Sequence, residues 1–165
     1  MARKTNRLAA PARGIVHCPQ RDRHFEKRQR EADDVQEQKI VARFRDGRIA
    51  KGHTTNFSPE AAAFLLRPAD GGPPERVPLD ALKAVFFVRA FAGDPERKDK
   101  EYFVPGQPYQ GRRVQVQFVD GEVMLGYTAN YHPSMRGFFI FPADPDANTI
   151  KAYAVASNVR QVRLL

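Results

Sequence analysis

Tryptophan is absent from this chain of 165 residues, and cysteine occurs once, at Cys18. One cysteine excludes an intrachain disulfide, because that bond needs two thiols. The histidines are also few. His17 adjoins Cys18, His24 follows six residues on, and His53 and His132 stand apart, so no metal-ligand spacing is present and no metal or cofactor is expected. Long apolar runs are missing too. None approaches the roughly 20 residues that cross a bilayer. The stretch Leu8 to Ala12 is too short and too poor in large side chains for a signal peptide, so a cytoplasmic location is expected. Dinucleotide-binding, P-loop and metalloprotease motifs do not occur. His53 and His132 have no nucleophile and acid at triad-like spacing, and Cys18 lies in an arm with no defined electropositive cleft. The expectation is a protein that is not an enzyme and has no catalytic residues.

The chain does have turn formers and phenylalanine. It holds 11 glycines, 13 prolines and 12 phenylalanines, a composition suited to short strands, many turns and a Phe-rich core. It also contains a repeat. Residues 40–70, IVARFRDGRIAKGHTTNFSPEAAAFLLRPAD, match residues 114–144, VQVQFVDGEVMLGYTANYHPSMRGFFIFPAD, at a constant offset of 74 with 11 of 31 positions identical. A repeat of this length marks a tandem of one small unit. Within each copy, residues alternate as in a strand, Ile40, Ala42 and Phe44 one way and Val41, Arg43 and Arg45 the other; Val114, Val116 and Phe118 do the same. Asp46-Gly47 and Asp120-Gly121 then supply hairpin turns, read as two-residue turns with positive φ at both positions. Gly52 and Gly126 interrupt the next strand and mark a bend. A third strand is expected over 61–67 and a short one at Val77. A helical turn at 79–82 and a firm strand at 84–88 follow. The end of the unit recurs with three extra residues, VPLDALKAV at 77–85 against YAVASNVRQV at 153–162.

The expected fold is all-β: two tandem small SH3-like or Sm-like barrels preceded by a basic arm, partly disordered or helical. Residues 1–37 form the arm, 38–90 the first barrel, 91–110 a linker and 111–165 the second barrel. Closing each short sheet would remove its exposed edges. Within the linker, 96–101 reads as a charged solvent face, and Tyr102-Phe103-Val104 as a crossing of the seam.

Formal net charge is +8, and residues 1–30 carry most of it, with nine basic side chains against Asp22 and Glu26. A nucleic-acid backbone is therefore a candidate partner, bound through Arg21, Arg23, Lys27 and Arg28 of the arm with Arg43, Arg45 and Lys51 of the first barrel. Such contacts position phosphates without reading bases. The second copy carries Gln117, Val119, Glu122 and Leu125 where the first has Arg43, Arg45, Arg48 and Lys51. Its apolar surplus suggests a different partner: a protein, or a second copy in a homodimer, meeting Leu125, Tyr127, Tyr131 and Met135. The two readings need different surfaces, an apolar groove for a protein and an unbroken basic stripe for nucleic acid. Asp46 and Asp120 are explained by turn chemistry. Thr54/Thr128 and Asn56/Asn130 read as side chains that fix the bend.

The alternating strand, Asp-Gly turn, glycine-bent strand and following apolar strand, GRRVQVQFVDGEVMLGYTANYHPSMRGFFIF at 111–141, resemble the first signature of Sm-like domains. LDALKAVFFV at 79–88 and SNVRQVRLL at 157–165 are similar to the second in hydrophobic pattern. The resemblance implies a small barrel. It does not carry the RNA pocket across, since Ser58-Pro59-Glu60-Ala61 and His132-Pro133-Ser134-Met135 stand at its aspartate and asparagine positions. The pair of copies also looks like an uncharacterised bacterial family of tandem small barrels. A minor alternative is the PilZ domain, which binds cyclic dinucleotides. Arg3 and Arg7 resemble its arginine arm, and Asn56-Phe57-Ser58 part of its turn.

Overall fold

The computed structural model describes residues 36–93, 96–97, 100, 102–106 and 111–165. Ten strands run through them: β1 Gln38–Phe44, β2 Ile49–Thr54, β3 Ala63–Pro68, β4 Glu75–Pro78, β5 Leu82–Val88, β6 Arg112–Phe118, β7 Val123–Thr128, β8 Gly137–Pro142, β9 Thr149–Val155 and β10 Val159–Leu164. Single 3-10 turns at Leu79–Ala81 and Ala156–Asn158 precede β5 and β10. The repeat is thus a five-strand unit used twice.

Both hairpins form at the Asp-Gly pairs, but as three-residue loops. The Gly47 N–H donates to the Phe44 carbonyl at 3.2 Å, and the Phe44 N–H to the Arg48 carbonyl at 2.8 Å. Only the glycine has positive φ, +92° at Gly47 and +91° at Gly121. This is the turn-plus-bulge hairpin in which αL falls on one residue, so Asp46 and Asp120 keep ordinary backbone and cap the loop with their side chains. The Asp46 carboxylate accepts the Arg48 N–H at 2.9 Å, and that of Asp120 accepts the Glu122 N–H at 3.1 Å. Gly52 and Gly126 permit the bend. A Cβ at either would run into the carbonyl oxygen of Arg67 or Phe141 on the next strand. Asn56 serves the same corner, accepting from the Thr54 hydroxyl at 3.3 Å and the Leu65 N–H at 3.0 Å. Strand β3 starts at Ala63, later than expected, because the Ala61 N–H closes a turn on the Ser58 carbonyl.

All the strands belong to one antiparallel sheet, in the order β10-β6-β7-β8-β9-β5-β1-β2-β3-β4. Each copy has its fifth strand beside its first, and the copies join where β5 pairs with β9, Ala84 opposite Ala154 and Phe86 opposite Ala152. The sheet does not close; β4 and β10 are its edges. The expected pair of separate barrels is therefore replaced by one continuous sheet. The reason lies in β5, LKAVFFV, which is buried at all seven positions. A strand apolar on both faces needs cover on both. Val85 and Phe87 pack into one core with Ile40, Phe44, Phe64 and Leu66, joined by Tyr153 and Val155 of β9. Ala84, Phe86 and Val88 pack into a second core with Val114, Val116, Phe118 and Ile140. The first copy folds over one face of the β5–β9 pair and the second over the other.

Candidate functional site

A bulge builds the polar centre of this junction. Along the β1–β5 pairing Arg43 stands opposite Ala84 but Phe44 opposite Leu82, so Lys83 is the extra residue. A bulge re-aims the inserted side chain out of strand alternation. The Lys83 side chain is 8% exposed. Its ammonium lies 4.6 Å from the centre of the Phe118 ring. It donates to the Asp120 carboxylate and, at 2.5 Å, to Glu122. The Lys83 hydrogen bond holds the Asp120 carboxyl below its usual range. Glu122 also receives Arg43 through both carboxylate oxygens, at 3.0 and 2.8 Å. The hairpin tip of the second copy is thus clamped to β1 and β5 of the first.

Beside the clamp runs a cleft of about 920 Å³ lined by both copies. Val41, Ile49 and Phe86 line it from the first copy, and Val123, Met124 and Leu125 from the second. Ile49 is 56% exposed and Val123 48%. Arg43 crosses the floor with its guanidinium 4.6 Å from the Phe86 ring centre. Its Nε is buried and makes no hydrogen bond. Lys51 donates to the Phe91 carbonyl at 2.9 Å.

Asp144 closes the far end. Its side chain is 1% exposed and takes Arg97 at 2.7 Å. It also accepts the backbone N–H groups of Lys100 and Asp146 at 3.2 and 3.1 Å. Burial alone would raise this carboxyl, but the Arg97 bond, the two N–H donors and the Lys100 ammonium together lower it to about 2. Lys100 is raised in turn, chiefly by the Asp144 charge. The counterpart Asp70 only caps its turn, accepting the Gly72 N–H at 3.1 Å. Neither Arg97 nor Lys100 is the free solvent-facing charge expected of 96–101. Nothing in the sequence signals the partnership, because the partners come from outside the repeat.

The residues expected to bind nucleic acid are divided. Arg21, Arg23, Lys27 and Arg28 lie outside the described residues, as do Arg3, Arg7, His17, Cys18 and His24. Arg43 faces Glu122, and Arg48 pairs with Glu75 at 3.2 Å, while Lys51 is held on a carbonyl. Arg45 is exposed beside them. The expected protein-binding set does not form one patch. Leu125 lines the cleft, whereas Tyr127 is 5% exposed and packs on Phe103 with ring centres 5.2 Å apart. Tyr131 packs on Phe138 at 4.8 Å, and Met135 is exposed in the loop after Pro133. Leu125 is parted from the rest by packing, since Phe103 covers Tyr127 and Phe138 takes Tyr131, while Tyr131 and Met135 lie in the loop between β7 and β8. Val123 and Ile49, which join Leu125 in the cleft, are counterparts at the offset of 74, but nothing within either copy shows that the two would meet.

Among the described residues no cluster of His, Cys, Asp and Glu could hold a metal ion, and no helix is long and apolar enough to cross a membrane. No curated protein and no solved structure matches the chain. A family model does match, over residues 36–165, which span all ten strands. The chain belongs to DUF6982, a family of unknown function.

Proposed function

We propose that this protein is a non-catalytic binding module that takes a protein partner in the cleft between its two copies. The observation that carries this reading is the cleft itself, walled by Ile49, Val123 and Leu125 and floored by Phe86. Partly exposed apolar side chains that converge on a concavity gain free energy when covered. Nucleic-acid binding has less support from the described residues. It needs an unbroken basic stripe, and Glu122 and Glu75 interrupt the one on β1 and β2.

A photo-crosslinking residue at Val123 tests the proposal. It should give a discrete protein adduct in cells, and the same residue at exposed Thr55 should not. Leu125→Glu should abolish the adduct while melting close to the parent. Salt-sensitive binding of single-stranded RNA, lost on removal of residues 1–35 and unaffected by Leu125→Glu, would move the function to the arm. A large fall in melting temperature for Leu125→Glu would make Leu125 a packing residue and remove the cleft's main wall.

A further inference from the structure

The internal junction describes a contact that the chain is built to make twice and makes once within itself. It joins the fifth strand of the first copy, β5, to the fourth strand of the second, β9. The other fifth strand, β10, and the other fourth strand, β4, are the open edges of the sheet. We infer that β10 of one molecule pairs with β4 of a second, in the register set by β5–β9. This inference does not depend on the cleft.

The register follows from strand equivalence. Arg43 opposite Ala84 and Gln117 opposite Gln161 equate Ala84 with Gln161. Ala63 opposite Pro78 and Gly137 opposite Val155 equate Pro78 with Val155. Transferring Phe86 opposite Ala152 therefore sets Arg163 against Glu75, and Val85 opposite Tyr153 sets Val162 against Arg76. Where the internal junction has two apolar side chains, the external one has a complementary charge pair. Arg160 takes the place of the bulge residue Lys83, and Asp46 of the second molecule the place of Asp120, which gives a second pair of opposite sign.

Two exposed leucines fit the same transfer. Across the internal junction the rings of Phe87 and Phe139 lie 6.2 Å apart. Their equivalents are Leu164 on the edge strand β10 and Leu65 on β3, the strand next to the edge strand β4, each 43% exposed. Both would be covered by the pairing. The backbone agrees in part. The Leu165 N–H donates to Arg113, so Val162 and Leu164 direct their backbone groups outward by alternation. The Leu79 N–H donates to Ala62, so Arg76 directs its groups outward on β4. Pro74 and Pro78 flank Arg76 and bring acceptors but no donors. The external contact is therefore weaker than the internal one and reversible, as edge prolines make it. Because the two surfaces differ, the contact is head-to-tail and continues until a ring closes or a filament grows.

Sedimentation of the full chain over a concentration series should show reversible association beyond the monomer. Glu75→Arg alone should dissociate it at least tenfold more readily. Adding Arg163→Glu to that chain should restore association, which mere loss of packing would not do. In a Cys18→Ser background, mixing an Arg76→Cys chain with a Val162→Cys chain should give a disulfide-linked pair, and a Thr55→Cys chain mixed with Val162→Cys should not. Each variant's thermal melt shows whether it is folded. A monomer at every concentration, failure of the charge swap to restore association between folded chains, or no crosslink between positions 76 and 162 would each overturn the inference.

Discussion

Lys83 shows how much one inserted residue does. Its charge sits among apolar side chains and is tolerated because Asp120 and Glu122 meet it. Removing both carboxylates leaves a buried charge unmatched, which costs about 3–5 kcal/mol, whereas replacing the lysine by an apolar side chain of similar volume is near neutral. Chemical denaturation should accordingly find Asp120→Ala/Glu122→Ala strongly destabilised and Lys83→Met close to the parent. Asp144 makes a different prediction. Its folded carboxyl is lowered from 3.8 to about 2, so the ionised form favours the fold. That stability is present above about pH 4 and is lost as pH falls through 2. Melting temperatures across this range should fall less steeply for Asp144→Asn than for the parent, and the variant should already melt lower at pH 7.

The elements are largely legible in the residue pattern. The Asp-Gly hairpins, the glycine bends, the short strand at Val77 and the apolar strand ending at Val88 all appear where the pattern puts them. Local rules place them, because a turn or a bend is decided by the few residues that form it, although the hairpins are three-residue loops and not the two-residue turns the pattern suggests. Gly52 and Gly126 sit against the carbonyl oxygen of a neighbouring strand, so alanine forces the strands apart. Gly52→Ala and Gly126→Ala should each lower stability by about 2 kcal/mol or more in urea melts. Pairing is what the pattern does not carry. LKAVFFV announces a buried strand but not which partner buries it. The bulge at Lys83 needs both β1 and β5 to be seen at once. The bond from Arg97 to Asp144 joins a linker to a turn 47 residues away, with no periodicity to reveal it.

At the scale of the whole molecule, the two copies share their most apolar strands. Neither core is complete without the other copy, since Tyr153 and Val155 enter the first core and Ala84, Phe86 and Val88 the second. A fragment of residues 36–105 should consequently show no cooperative melt, having one face of β5 bare. Phe86→Ala in the full chain should cost about 3 kcal/mol or more and lower a single transition without splitting it in two.

The order of strands also sets how the sheet would respond to tension. β1 lies between β5 and β2, locked on both sides, while β10 is held by β6 alone. A pull applied at residues 36 and 165 would load those two strands very differently. β10 has a single ladder to lose, and the bond between Leu165 and Arg113 lies at its loaded end. β1 could leave only by shearing two ladders together. A single-molecule extension trace should then show an early, low-force release of a few residues at the C-terminal end. The rest of the sheet should give way later as one high-force event.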